Sequence, residues 1–447
     1  MELRGRREAL KYLLAAAGGL AIGGLTTSLI TSEKGREKQE VKNQGEISEI
    51  PNTPVKIGVQ TLFSGPGAVI GEPLYKGAVL AAEEVNQRGG ILNKRKIEVI
   101  ARDEAGVEQT VKEFRRLAIN DKVDYYVGAI ESVNTIALGP EAESLGLLTI
   151  FVDGGTEKLF EDILTKPTVV FRTSNIDTVD AFTSMNAVAY WFPDAKRIAG
   201  VYPDDVYGQL TYEVVAASLK KLLPEAEEVY TGWPPLFTTD YSPHISKLIE
   251  TKPDVVVVAL WGGDFITFYK QALAYGLFKK AKLISTYGFS APPHHFGKDL
   301  PEGSIMGAHA NYYFLYPPWE SYDNNRKFNE RYYKMWGEYP GTHAELAYSS
   351  MMALIQAIEK TYTILGEWPD VFEVAKSLEG SVIHAPGGYL YYRVQDHQAV
   401  RNPPIGRSVN TDKWPFPVWD VDTVLHIPSE KLIPPPGVKM VDWMKTL

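Results

Sequence analysis

The spacing Gly65-x-Gly67-x-x-x-Gly71, after an apolar run and before a helical pattern, is the first feature of this chain that could do chemistry. Glycines so placed would let backbone N–H groups close on a pyrophosphate, with Asp103 downstream as the acid for a ribose. The third glycine falls one position late, however, and the loop is too long for the tight turn that nucleotide binding needs. Asp103 then takes a plainer role, capping the next helix and fixing the loop. His294 and His295 are metal-ligand types, but neighbours on a strand or helix point apart and make a poor pair. Ser132 and Ser290 sit in loops where a nucleophile could stand. No G-x-S-x-G or H-E-x-x-H is present and no base can be assigned, so no catalytic residue is expected. The chain has no cysteine, which removes disulfides, thiolate catalysis and cysteine-bound metal. Neither a metal nor a cofactor is expected.

The elements that would position a site begin with bulk. The 447 residues are 45% hydrophobic and 23% charged, enough for two or three domains with sizeable cores. Net charge is −9 with pI near 5.5, and no long basic patch occurs beyond the N-terminus. Nucleic acid is therefore not an expected partner.

Arg4, Arg6, Arg7 and Lys11 precede an uncharged segment from Tyr12 to Ile30. This is an export pattern. Arg6-Arg7-Glu8-Ala9-Leu10-Lys11 resembles the twin-arginine export motif, and Gly18, Gly19, Gly23 and Gly24 dilute the apolar segment as that pathway favours. Residues 12–30 would also reach roughly 28 Å as a helix, just enough to remain as a membrane anchor. Either way residues 1–30 place the bulk of the chain outside, periplasmic or at the cell surface. Residues 31–53 are polar and aperiodic and read as a linker.

From there, strand and helix patterns alternate. Val55–Gln60 reads as a strand, and Leu74, Ala78, Ala81 and Val85 fall on one helix face. Pro73 suits the first helical turn, and Gly89 and Gly90 stop the helix. With a strand at Lys96–Arg102 this makes one right-handed crossover. Further strands are expected at Tyr125–Ala129, Leu147–Val152 and Thr168–Arg172. The pattern restarts near Asn175, with a strand at Arg197–Tyr202. Asp254–Leu260 is apolar and β-branched nearly throughout, as in a parallel strand covered on both faces. Lys282–Tyr287 is a further strand. Helices are expected at Tyr322–Trp336, His343–Tyr362 and Val371–Leu378, then a hairpin around Asp396-His397-Gln398 and a last strand within Trp414–Ile427. The class is α/β, with two doubly wound parallel-sheet lobes.

IGVQTLFSGPGAVIGE, KGAVLAAEEVNQRGGILNKRKIEVIARDE, DKVDYYVGAIES, VFRTSNID, YPDDVYGQ and DHQAVR follow one another in the order of a known family. From Val55 to about Ile405 the chain resembles the type I periplasmic solute-binding proteins, typified by the leucine/isoleucine/valine-binding protein of ABC importers. The resemblance implies two lobes joined by three crossovers, near Ser174, Gly307 and His384. Residues 54–174 and 308–384 would form one lobe. Residues 175–307 and 385–447 would form the other with a C-terminal extension. Ser64, Gly65, Glu131, Ser132, Gly155 and Thr156 would make the first-lobe wall of a ligand cleft; Tyr207, Trp261 and Tyr287 would line the second. Strand ends and helix N-termini are also where a bottom-up reading puts a ligand. One helix terminus contributes at most ~2 kcal/mol while micromolar affinity needs about 8 kcal/mol, so both lobes must engage.

The family's amino-acid binders usually carry an acid where this chain has Tyr287-Gly288-Phe289. Asp264 or Glu131 could stand in. The expected ligand is a small amino acid, amide or carboxylate-type metabolite, and the expected partner is an ABC permease. A ligand-sensing ectodomain and an extracytoplasmic enzyme on the same fold are the alternatives.

Overall fold

Strand β1 (Val55–Thr61) is buried almost throughout, and even its Gln60 is inside the core. That amide is satisfied there, donating from Nε2 to the carbonyls of Asp103 at 3.0 Å and Thr110 at 3.1 Å. Helix α1 (Ala68–Gln87) buries Leu74, Ala78, Ala81 and Val85. It starts at Ala68, so Pro73 lies inside it and not in the expected first turn. The Gly65–Gly67 turn is tight enough to begin the helix early, with the Ala68 N–H on the Gly65 carbonyl at 3.1 Å. Gly71 marks where α1 crosses the end of β1, because a Cβ there would lie 1.8 Å from the Leu62 carbonyl oxygen. The helix stops before Gly89 and Gly90, whose φ angles of 104° and 97° favour glycine.

This computed structural model describes residues 49–309 and 322–446. The export or anchor reading of residues 1–30, nearly all of the linker and residues 310–321 lie outside that description. Within it, β1 pairs with β2 (Ile97–Asp103) and β3 (Tyr125–Gly128), followed by β4 (Thr149–Phe151) and β5 (Val170–Arg172). All pairings are parallel and the order is β2-β1-β3-β4-β5. Helices α2 (Val107–Arg115) and α3 (Ser132–Leu145) connect them.

After β5 the chain enters α4 (Asp177–Trp191) and repeats the design. The second sheet runs β7 (Glu227–Gly232), β6 (Arg197–Val201), β8 (Val255–Val258), β9 (Lys282–Ser285) and β10 (Ile305–Gly307), all parallel. Helix α5 (Val206–Leu222) follows β6, α6 (Ser242–Thr251) precedes β8 and α7 (Gly262–Ala274) follows it. The strand order is that of the first sheet, so the restart read from sequence is a repeated topology. The β8 valines are all buried at the sheet centre, as their β-branched run requires.

Helices α8 (Asp323–Trp336) and α9 (Thr342–Leu365) return to the first lobe, where α9 crosses α1 so closely that a Cβ on Gly77 would lie 2.1 Å from the Ala344 carbonyl oxygen. After α10 (Val371–Leu378), strands β11 (Val382–Ala385), β12 (Gly388–Tyr392) and β13 (Ala399–Val400) form a separate antiparallel sheet containing the expected hairpin. It is tied to β5 by the Arg172 N–H on the His397 carbonyl at 3.2 Å and by stacking of Phe171 on His397. The chain rejoins the second sheet only at β14 (Pro404–Val409), antiparallel to β10. The third passage therefore comes after Val400 and not near His384. The region expected to form one last strand gives two short ones, β15 (Val418–Trp419) and β16 (Leu425–His426), both paired with β14. The C-terminal segment then leaves the second lobe. Its Met440 N–H bonds Glu161 at 2.9 Å and Lys439 pairs with Asp162 at 2.6 Å, both acids of the first lobe.

Candidate functional site

The residues just beyond the carboxyl ends of β3, β4, β6, β8, β9 and β10 converge on one cavity between the lobes, with a volume of about 30 Å³. β3 supplies Ile130, Glu131 and Ser132, and β4 supplies Asp153 and Gly155. From the second lobe come Asp205 and Tyr207 after β6, Trp261 after β8 and Tyr287 after β9. Ile70 of α1, Asp177 of α4 and His309 after β10 complete the wall. The lobes touch over it, with the Gly263 N–H on the Pro66 carbonyl at 3.0 Å. Small-molecule pockets run to roughly 300–1,000 Å³, so the cavity as closed here is too small for a solute, which enters when the lobes part.

Six of the residues singled out from sequence meet here: Glu131, Ser132, Gly155, Tyr207, Trp261 and Tyr287. Three do not. Ser64 and Gly65 are exposed on the outer side of the turn, where a Cβ on Gly65 would touch nothing within 4 Å. Their neighbour Pro66 makes the interlobe contact instead. Thr156 is buried behind the wall, its carbonyl accepting from Arg172 Nη1 at 2.7 Å. Asp264 also stands away from the cavity and holds the Phe237 N–H at 2.8 Å. Asp103 caps no helix; its Oδ1 takes the Phe63 N–H at 2.9 Å and so fixes the loop after β1.

Asp153, just beyond β4, is the hub of the cleft. Its Oδ2 accepts from Tyr287 Oη at 2.6 Å and lies 2.6 Å from His343 Nε2, while its Oδ1 lies 3.4 Å from His309 Nε2. Burial pushes this carboxyl up, but the charge and hydrogen bond of His309, joined by His343, hold it well below the usual range. His309 also pairs closely with Asp180 through Nδ1. Burial lowers its imidazole, yet the charges of Asp180 and Asp153 raise it to about 10.

The other carboxyls move up. Burial, then the charge of Asp205, lifts Glu131 to about 7, and burial lifts Asp205 to about 6. Asp177 rises well above the usual range by burial and by the charges of Glu157 and Asp153. Glu104 underpins this wall, accepting the N–H groups of Ile130 and Glu131 at 2.8 Å each and Asn134 Nδ2 at 3.0 Å. Burial and the Glu131 charge raise it to about 8.

Among the described residues no cluster of three or more acids and histidines is arranged to hold a metal. His294 and His295 lie side by side with ring centres 4.4 Å apart, and His294 faces Glu338 at 3.8 Å. What remains is a two-sided clamp with hydrogen-bonding groups and aromatic faces.

A family model described as periplasmic binding protein matches residues 54–413. The chain belongs to the periplasmic binding protein family. Members of this family are solute receptors and not enzymes, which fits a cleft built from strand ends of both lobes. A relative from Brucella melitensis, Leu/Ile/Val-binding protein homolog 7, is 26% identical over 318 residues, spanning 68% of this chain and 77% of that protein. Two solved structures share the two-lobed fold. A periplasmic binding protein from Burkholderia mallei superposes with a TM-score of 0.73 at 19% identity, covering 85% of this chain and 96% of the other. A solute-binding protein of an ABC transporter from Rhodopseudomonas palustris, in complex with 3,4-dihydroxybenzoic acid, gives 0.71 at 21% identity, covering 87% and 99%. As a periplasmic binding protein, this chain is an extracytoplasmic receptor for a small solute.

Proposed function

We propose that the solute is held in the interlobe cavity between Glu131, Ser132 and Gly155 on one side and Tyr207, Trp261 and Tyr287 on the other, and that the closed protein presents it to an ABC permease. The observation that carries this reading is the convergence of strand ends from both sheets on a single cavity that must open to admit a solute. Closure would bring the aromatic faces onto the ligand and dehydrate its polar contacts, supplying the affinity that one lobe lacks. An amino acid, an amide or a carboxylate-type metabolite remains the starting class, in line with the names and ligand of the relatives above. The Arg6-Arg7 segment is read as a twin-arginine signal, with residues 12–30 either removed on export or kept as an anchor; N-terminal sequencing of the exported protein separates the two.

The reading is tested by equilibrium dialysis with each solute that raises the unfolding temperature. One molecule bound per chain and recovered unchanged is the expected result. Recovery of a chemically altered molecule would replace the receptor by an enzyme.

A further inference from the structure

The last stretch of the chain lies beyond the part that the family model covers, which ends at residue 413. It makes a further passage between the lobes. β16 still belongs to the second sheet, paired with β14. Just after it, Ser429 is pinned to the third crossing, its N–H on Asn402 Oδ1 at 2.9 Å and its hydroxyl donating to the Arg401 carbonyl. Leu432, Ile433 and Met440 then pack on Ile176 and Val179 beside the first crossing and on Val400 beside the third. The Pro434 carbonyl accepts from Arg393 Nη1 of the β12–β13 hairpin at 2.7 Å. The passage ends on the first lobe, where the Met440 N–H meets Glu161 at 2.9 Å and Lys439 meets Asp162.

This span is stiff, and its grip is mainly apolar. Pro434, Pro435 and Pro436 each fix φ, and the Val438 N–H on the Pro435 carbonyl at 3.0 Å closes a turn that has Gly437, with φ of 81°, at its third position. Leu432, Ile433 and Met440 are all buried, whereas the exposed Lys439–Asp162 pair adds little by itself. Earlier in the same extension, the rings of Trp414 and Phe416 meet Tyr339 of the first lobe at 5.2 and 5.9 Å between centres. The lobes of such a protein turn about their crossings, so a link packed on both of them must stretch or let go. A prolyl turn stretches little. The link also adjoins the ligand wall, because Ile176 precedes Asp177 of the interlobe cavity. Glu157, which shares a small cavity with Pro434 and Pro435, holds the next N–H, that of Thr178, at 2.7 Å.

We propose that residues 427–446 form an interlobe strap, which holds the ligand-free protein closed and leaves Glu161 and Asp162 when the cleft opens to a solute. The strap rests on the receptor reading for its purpose, the control of solute entry, but its test needs no solute and so fails separately from that reading.

Because the chain has no cysteine, spin labels can be placed at Glu72→Cys on α1 and Lys270→Cys on α7, exposed positions on facing lobes. Pulsed dipolar spectroscopy of the full chain, with no solute added, then reads the distance between the lobes. Lys439→Glu combined with Met440→Glu sets like charges against Glu161 and Asp162. Glu161→Lys combined with Asp162→Lys removes the same contact from the first-lobe side and leaves the strap itself unchanged, which keeps the test open should the first pair fail to fold. Each pair should broaden the distance distribution and lengthen its mean by more than about 2 Å, the scale of a domain rearrangement. The parent distribution in either folded variant would overturn the strap. A fall in unfolding temperature without that lengthening has the same meaning, since packing alone moves stability and not the distance between lobes.

Discussion

Tyr287, at the end of a second-lobe strand, donates a 2.6 Å hydrogen bond to Asp153 at the end of a first-lobe strand. It ties the two sheets together across the cleft with a charged acceptor. Such bonds contribute about 1.5–3 kcal/mol. Tyr287→Phe keeps the ring and removes the bond, so the closed arrangement should lose roughly that much. Ligand affinity should fall about tenfold to a hundredfold by calorimetry, while the far-UV spectrum stays unchanged.

Gly263 tests closure without touching the ligand. A Cβ there would lie 2.8 Å from both Cβ and the carbonyl oxygen of Pro66 on the facing lobe. Overpacking of this kind costs about 1–3 kcal/mol. Gly263→Ala should therefore weaken binding and leave a larger radius of gyration in saturating ligand by small-angle scattering. A wild-type radius and affinity would show that Pro66 and Gly263 do not meet in the bound state.

The buried His309 gives the fold a pH signature. Burial opposes its charge, but Asp180 and Asp153 raise it from 6.5 to about 10, with Tyr287 packed on its ring. A raised histidine binds more protons folded than unfolded, so its stabilisation is complete below pH 6.5 and is lost as pH rises through about 10. The unfolding temperature of the wild type should fall across that window. His309→Gln should start lower and show a flatter profile; equal slopes would remove His309 from the account of stability.

Much of this architecture was legible because the physics is local. The stripe of Leu74, Ala78, Ala81 and Val85 could only be one face of a helix, and the Val255–Val258 run could only be a covered strand. Tyr207, Trp261 and Tyr287 were legible because each follows an apolar run, and strand ends are where sheets open onto a cleft. β7 was missed because its edge position leaves Glu227 and Glu228 exposed, so it carries no apolar signal. Asp153, Asp177, Asp205 and His309 were missed for another reason. Each belongs to a different turn, and what makes them one site is their meeting across two lobes, which no window of sequence contains. Ser64 and Gly65 are exposed, while Pro66 of the same turn accepts from Gly263 of the far lobe, a difference of one residue that the glycine motif does not encode.

The claim that the interlobe cavity binds the solute is tested most directly by titrating the strongest thermal-shift ligand into the wild type, Tyr207→Ala and Trp261→Ala. Buried aromatic anchors in such a site are worth about 2 kcal/mol or more on truncation. Affinity should fall by about thirtyfold or more in each variant. Wild-type affinity in both would place the ligand elsewhere and contradict the assignment.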